Sequence, residues 1–339
     1  MSDYCARVFF DKHDIHGSIA TMKLRGIDFG KVVGASGVQG WFGEGYPYHF
    51  FLKFVPGFSL RGVTIVSKTT TLHARAGNMP LASDNLTPRE FKPACVYVRP
   101  GAGVVLNAVN LSGPGLPFLL ETGKWQKLTK PFFISFMSVG DTKEERLSEL
   151  TEAVALLANA KSAFSAPFGL QINFSCPNTG HDQEMLSHEI HEALKIASTL
   201  GVPLVPKISL VLSPTIASDI MNDPNCDAIC VSNAVAWRDV TPEAREAFFG
   251  SEESPLARFG GGAVSGKYLF PLVREWIRQF RHQHQGQAKP IIAGGGILSP
   301  KHVQELADIG ATAISPGTIT ILRPWNLKRV IKKAQEILK

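Results

Sequence analysis

Short runs of apolar, β-branched residues recur along the chain, and most are continuous rather than alternating. They predict strands at 32–36 (VVGAS), 62–67 (GVTIVS), 131–137 (PFFISFM), 169–174 (GLQINF), 202–208 (VPLVPKI), 227–232 (DAICVS), 290–293 (PIIA) and 312–315 (TAIS). Continuous runs are expected of parallel strands covered on both faces. Helical periodicity separates many of them. It is clearest at 143–160, where Leu147, Leu150, Val154 and Leu157 fall on one face. Further helices are predicted near 183–199, 214–221, 267–282, 300–309 and 326–338, the last with a basic, solvated outer face. Eight strands alternating with helices predict an α/β fold, a (β/α)8 TIM barrel, with a doubly wound open sheet as the alternative. No linker or low-complexity stretch divides the chain, so residues 1–339 read as one domain. Two long connections, 68–130 and 233–266, follow strands and in a barrel would rise from the C-terminal face, where active sites are built.

That geometry gives meaning to polar residues that would otherwise be scattered. Ser67-Lys68-Thr69-Thr70 follows the second strand, and Asn173 to Gly180 closes the fourth. Lys207 ends the fifth strand, Ser232-Asn233 the sixth, Gly294-Gly295-Gly296 the seventh and Pro316-Gly317-Thr318 the eighth. A barrel brings all these strand ends to one rim.

Composition narrows the class without naming a substrate. Hydrophobic residues make up 44% of the 339 positions and charged residues 19%, which supports a large core and excludes a disordered or fibrous chain. The net charge of +6 is mild over this length and does not by itself call for nucleic acid. No stretch approaches the ~20 apolar residues of a membrane helix, and Met1 to His16 does not read as a signal peptide or anchor. Five scattered cysteines argue against a disulfide framework and for a reducing, cytoplasmic setting.

The chemistry-bearing residues then sort themselves. Gly295-Gly296 and Gly317-Thr318 each precede a predicted helix, where bare backbone N–H groups favour a phosphate. Cys176 lies between Asn173 and Asn178, whose amides suit a planar polar ligand; as thiolate it could accept a proton. Lys68 and Lys207 could stabilise negative charge on a bound group. His188 and His191 share a helix with Glu189 and Glu192, but without a clear third ligand they read as a solvated face rather than a metal site. Cys226 and Cys230 read as core. The segment 31–46 is glycine-rich but lacks the spacing of a dinucleotide fingerprint.

From about residue 25 onward the sequence resembles the dihydroorotate dehydrogenase family of flavin barrels. The strings that carry the likeness are INFSCPNTG at 172–180, SKTTTLHARAGN at 67–78, NAVNLSGPG at 107–115, AVSGKYLFP at 263–271, PIIAGGGI at 290–297 and GATAISPGT at 310–318. The resemblance implies bound FMN and oxidation of dihydroorotate to orotate in pyrimidine biosynthesis. Cys176 would be the base that takes the proton from ring carbon 5 while hydride leaves carbon 6, and Lys68 would lie near both flavin and substrate. Ala35, Ser36, Ser67, Lys68, Asn173, Lys207 and Ser232 would line the flavin. Gly266, Gly295, Gly296, Gly317 and Thr318 would approach its phosphate and ribityl chain. Lys68, Asn107, Asn173, Asn178 and Asn233 would hold the pyrimidine and its carboxylate. A cysteine base marks the soluble branch. NAVNLSGPG resembles the NAD-linked, two-subunit enzymes, although Thr179 follows the pattern of the serine-type branch. The implied partners are a small dihydropyrimidine, a soluble electron acceptor or electron-transfer subunit, and a second copy in a homodimer, with no nucleic acid and no membrane.

Three departures from the family pattern stand out. Asn110 stands where glycine is usual, Ala234 follows Asn233 where serine or threonine is usual, and Met79-Pro80-Leu81-Ala82 replaces a proline- and arginine-containing stretch. They leave open a related ring substrate. Two different functions compete with dihydroorotate oxidation. One is that of a tRNA-dihydrouridine synthase-like enzyme, with which the chain shares a flavin barrel and an Asn…Cys-Pro string; the other is that of a non-catalytic flavin-binding homologue.

Overall fold

The computed structural model describes residues 22–174, 183–284 and 289–338. The chain enters through a short antiparallel hairpin, β1 (Lys23–Leu24) and β2 (Ile27–Asp28), and runs by way of helix α1 (Pro47–Leu52) into strands β3 (Val96–Arg99) and β4 (Val104–Asn107). After helix α2 (Leu116–Glu121), strands and helices alternate: β5 (Phe132–Phe136), α3 (Lys143–Ala160), β6 (Phe168–Phe174), α4 (Gln183–Ser198), β7 (Leu204–Ile208), α5 (Pro214–Asn222) and β8 (Ile229–Val231). The second long connection holds β9 (Val235–Ala236), α6 (Pro242–Phe249) and β10 (Ala263–Gly266). Then come α7 (Leu269–Gln283), β11 (Ile291–Gly294), α8 (Pro300–Asp308), β12 (Ala313–Ser315), α9 (Ile319–Leu322) and α10 (Leu327–Ile337).

Six of these strands form one parallel sheet in the order β12-β11-β8-β7-β6-β5. Two further segments close it. Val32 bridges Ile314 of β12, Val33 bridges Thr64, and Val66 bridges Phe133 of β5, all parallel. Backbone bonds follow the same path, from Val33 N to Ile314 O (2.8 Å), Thr64 N to Val32 O (2.8 Å) and Ser67 N to Phe133 O (2.9 Å). The eight predicted strands therefore all lie in one closed parallel barrel, and the open sheet is excluded.

Alternate residues along the strands face opposite ways and build two cores. Val33, Phe133, Val205, Cys230, Ile292 and Ala313 fill the barrel interior with Met22, Leu24 and Phe29, so the hairpin plugs the N-terminal ends of the strands. Phe29 stacks on Phe133 with ring centroids 4.2 Å apart. The neighbours Val32, Phe132, Ile134, Ile229, Val231 and Ile291 point outward into the layer beneath the helices. Helix starts are set by local chemistry. The Thr142 hydroxyl accepts from Glu145 N (3.1 Å) while the Glu145 carboxylate accepts from Thr142 N (2.9 Å), a capping box for α3.

One element was not visible in the sequence pattern. The two long connections pair with each other, giving a four-stranded antiparallel sheet in the order β3-β4-β10-β9, with its own small core around Cys95, Leu106, Trp237, Phe249 and Val264. β3 and β4 form a local hairpin, but β10 comes from the other connection, so no local pattern announced the pairing of β4 with β10.

A second difference concerns His191. It stays partly exposed but lies between two carboxylates of the α5 region, with Nδ1 2.6 Å from Asp223 and Nε2 2.8 Å from Asp219. Its sequence neighbours gave no hint of this, because both partners come from the next helix in space.

Candidate active site

Two cavities, each of about 640 Å³, adjoin at the C-terminal ends of the barrel strands. Both touch Ser36, Gly37, Tyr46, Lys68, Asn107, Val109 and Ala234, so these residues form the wall or junction between them. The first runs along the glycine loops after β11 and β12, touching Gly294 to Gly296, Ser315, Gly317 and Thr318. The second is roofed by the two long connections, with Asn110, Leu111, Asn233 and Trp237 to Asp239 in its lining.

Lys68 stands at the junction. Its backbone N donates to Gly40 O (2.8 Å), and its ammonium donates to the Ser112 carbonyl and lies 4.6 Å from the centre of the Trp41 indole ring. Burial pulls its pKa from 10.5 down to about 8, with Cys95 opposing. Burial also holds Lys207 below the ordinary lysine range, against a small opposing effect of Cys230. No carboxylate contributes to its surroundings among the described residues. A cavity-facing ammonium without an acid suits a ligand that brings its own negative charge or electron-rich oxygen.

The glycine loops have the build of a close-approach cradle. Gly296 has φ +68°, and a Cβ there would fall 2.2 Å from the carbonyl oxygen of Gly266. Behind it, His302 stacks on Phe270 (3.9 Å) and its Nδ1 lies 3.2 Å from Leu298 N and 3.1 Å from Gly296 O. Ala35 N donates to Pro316 O (3.1 Å), tying the first strand to the loop after the last.

The amides gather at the second cavity. Asn233 Nδ2 donates to Asn173 Oδ1 at 3.0 Å, linking the ends of β6 and β8 across the rim. Asn107 ends β4 and faces both cavities. The loop that follows it is held from behind: Asn78 Nδ2 donates to Ala108 O (2.7 Å), and Ser112 Oγ accepts from Met79 N (2.9 Å) while donating to Val109 O (3.0 Å). Asn110 sits in that loop with φ +54°, a left-handed geometry that asparagine tolerates best after glycine. The residue exchange noted in the sequence therefore keeps the backbone and adds an amide to the cavity lining.

Of the expected ligand-binding positions, Ala35, Ser36, Lys68, Lys207, Ser232, Gly295, Gly296, Gly317 and Thr318 line the first cavity, and Lys68, Asn107 and Asn233 the second. Three lie one layer behind. Ser67 is fully buried, its hydroxyl accepting from Ser135 N (2.9 Å); Asn173 reaches the cavity only through Asn233; Gly266 backs the Gly296 turn. Cys176 and Asn178 lie outside the described residues.

Tyr46 joins the site without having been expected there. It touches both cavities, burial raises its pKa well above the tyrosine range, and its ring stacks on Tyr48 at 5.8 Å. Tyr48, pushed up to about 12 by burial, bonds Thr320 just after the Gly317 loop. The signal was the glycine-rich stretch at 31–46, which lacked dinucleotide spacing but delivers Ala35, Ser36, Gly37 and Tyr46 to the site.

The family model for dihydroorotate dehydrogenase matches residues 21–338. The chain belongs to the dihydroorotate dehydrogenase family. It is an oxidoreductase acting on a CH–CH bond. The catalytic subunit of dihydroorotate dehydrogenase B (NAD(+)) from Streptococcus pneumoniae strain R6 is 25% identical over 329 residues, covering 94% of this chain and 91% of that protein. The same subunit from Endomicrobium trichonymphae is 27% identical over 339 residues, covering 96% and 92%. Among solved structures, DHODH from Eimeria tenella in complex with ferulenol superposes with a TM-score of 0.62 at 18% identity, covering 98% of this chain and 90% of that one. That likeness is one of fold.

Proposed function

We propose that the protein binds FMN in the first cavity and oxidises dihydroorotate to orotate in the second, serving pyrimidine biosynthesis in the cytoplasm. The observation that carries this reading is the pair of adjoining cavities with Lys68 at their junction. One cavity has glycine loops and an acid-free ammonium for a phosphorylated, electron-rich cofactor; the other has converging amides for a polar ring. Bound FMN supplies a two-electron acceptor next to the substrate ring. Ala35, Ser36, Lys207, Ser232, Gly295, Gly296, Gly317 and Thr318 would hold it, with Ser67 and Gly266 supporting from behind.

Asn107 and Asn233 orient the substrate ring and its carboxylate, with Asn173 fixing the Asn233 amide and Asn178 completing the set. The Lys68 ammonium, poised near about 8, offsets negative charge where the two cavities meet. Cys176, three residues after Asn173, accepts the proton from ring carbon 5 as hydride departs from carbon 6. Relatives that are catalytic subunits of an NAD(+)-linked enzyme support an electron-transfer partner as the agent of reoxidation. Asn110 and Ala234 favour one variation on this reading, a related dihydropyrimidine ring, because both alter the lining of the substrate cavity.

Anaerobic titration of the FMN-loaded protein with dihydroorotate tests the proposal. Bleaching of the oxidised flavin bands is expected. A flavin spectrum that dihydroorotate leaves unchanged would reject it as substrate and direct the search to related rings. In parallel, Cys176→Ala is expected to keep the flavin and lose substrate-driven reduction; reduction at the normal rate would remove Cys176 from the mechanism.

A further inference from the structure

Ten large hydrophobic side chains are exposed among the described residues, and six of them, Phe50, Phe51, Phe54, Phe91, Ile321 and Trp325, belong to one region. Phe50 contacts Phe51 (5.5 Å) and Phe54 (6.0 Å), and Phe51 contacts Phe91 (5.8 Å), so the four rings form a continuous strip. Phe91 and Ile321 also line the first cavity, as do Tyr48 and Leu52 from α1, which places the strip at the cavity mouth. The Trp325 segment joins it through the bond from Lys328 N to Gly57 O (2.9 Å). Soluble surfaces rarely leave so many large apolar groups together without a use for them.

The charge around the strip is mainly cationic. Lys53 lies over the Phe50 ring (5.8 Å) and Arg323 over the Trp325 ring (5.6 Å), while Arg89 and Lys92 lie within two residues of Phe91 in the chain. The one acid among them, Glu90, is turned to a backbone amide, accepting from Ala94 N at 2.8 Å.

We infer that this aromatic mouth is the docking face for a small acidic electron-carrier protein, which reoxidises the flavin from this side; the inference rests on the flavin reading above. Interfaces concentrate aromatic residues at their centre within a polar rim, and the mainly cationic sign of this rim selects an acidic partner. Four phenylalanines, each more than half exposed, offer roughly 500 Å² to a partner, the scale of a transient redox encounter. Electrons balance simply: two oxidised carriers take one electron each from the reduced flavin, and its two protons pass to water.

The test uses photoreduced, FMN-loaded protein, so that it does not depend on dihydroorotate being the substrate. It is mixed with a small acidic cytochrome, a small basic cytochrome or a small-molecule dye. For the wild type, reduction of the acidic cytochrome should outpace that of the basic one and fall with salt. Both Lys53→Glu with Arg89→Glu and Phe50→Ser with Phe54→Ser should slow it about tenfold, with dye reduction unchanged. Equal rates for both cytochromes, or variants matching wild type, would overturn the docking face. So would phenylalanine-dependent binding to anionic phospholipid vesicles without an effect on cytochrome reduction. Failure to retain FMN shows first in the spectrum and overturns the flavin reading and the docking face together.

Discussion

The ammonium of Lys68 sits 4.6 Å from the centre of the Trp41 ring, and Trp41 is itself buried beneath it. Burial alone disfavours the charged lysine, and the indole face returns about 0.5–2 kcal/mol of that loss. One pKa unit corresponds to about 1.4 kcal/mol. With a pKa of about 8, Lys68 loses its charge as pH rises through that value, so substrate-driven flavin reduction should decline on the alkaline side. Trp41→Leu should move that decline about half to one pH unit lower, whereas Trp41→Phe should stay near wild type. Stopped-flow reduction rates against pH read the difference. Coincident alkaline limbs for Trp41→Leu and wild type would detach the indole from the chemistry.

Asn233 and Asn173 meet as an amide pair at 3.0 Å, and only Asn233 reaches the cavity. On the proposed function, removing Asn233 deletes a substrate contact and also frees the Asn173 carbonyl. Asn233→Ala should weaken orotate binding roughly 10- to 100-fold, the cost of a bond to a charged group. FMN affinity should stay within about threefold, since Asn233 lies outside the first cavity. Flavin absorbance changes on orotate addition measure one, fluorescence quenching of free FMN the other. A parallel loss of both affinities would mean that the pair supports the rim rather than the ligand.

The barrel was legible because its signal is local and repeated. Continuous apolar runs mark strands covered on both sides, and helices such as α3 carry their own cap in Thr142 and Glu145. The cavity-lining positions at strand ends, Lys68, Lys207 and Ser232 among them, followed from strand position. What stayed hidden depends on distant pairing. β4 and β10 are 156 residues apart at their Asn107–Ala263 register, and the tips of the two connections carry no common motif. Tyr46 was hidden for a related reason, since a lone aromatic after a glycine-rich turn does not announce which cavity it enters. The layering of Ser67 behind Ser36 is likewise a matter of packing that strand position does not determine.

Asn110 separates backbone from side-chain effects. Its φ of +54° costs little for asparagine or glycine and about 1–2 kcal/mol for alanine. Asn110→Gly should leave the melting temperature nearly unchanged, and Asn110→Ala should lower it. If the amide contacts the ligand, both variants should weaken orotate binding by a similar factor. Weaker binding in the alanine variant alone would assign Asn110 a conformational role only.

His191 couples α4 to α5 through Asp223 and Asp219. Burial lowers its pKa, but the two carboxylates outweigh burial and the net shift is upward from 6.5. A group with a raised folded pKa stabilises the fold fully below 6.5 and loses that contribution as pH rises through the folded value. The pair is partly exposed, so about 1 kcal/mol is the expected size. His191→Gln should lower denaturant stability at pH 6 and make little difference at pH 9. An equal loss at both values would point to packing in place of charge.

Lys207 offers the sharpest separation of folding from binding. Its folded pKa lies below the ordinary 10.5 because burial favours the neutral amine. The folded state therefore binds fewer protons than the unfolded state between the lowered value and 10.5, and the ligand-free protein should gain stability as pH climbs through that window. Lys207→Met keeps the length and removes the charge. Ligand-free, it should melt no lower than wild type at pH 7 and lose the lysine's share of the alkaline gain. Loaded with FMN, the order should reverse, because on the proposed reading this ammonium meets the cofactor. FMN affinity should fall at least about tenfold. Equal affinity in the two proteins would leave the lysine as a buried charge without a ligand to serve, and would remove it from the flavin site.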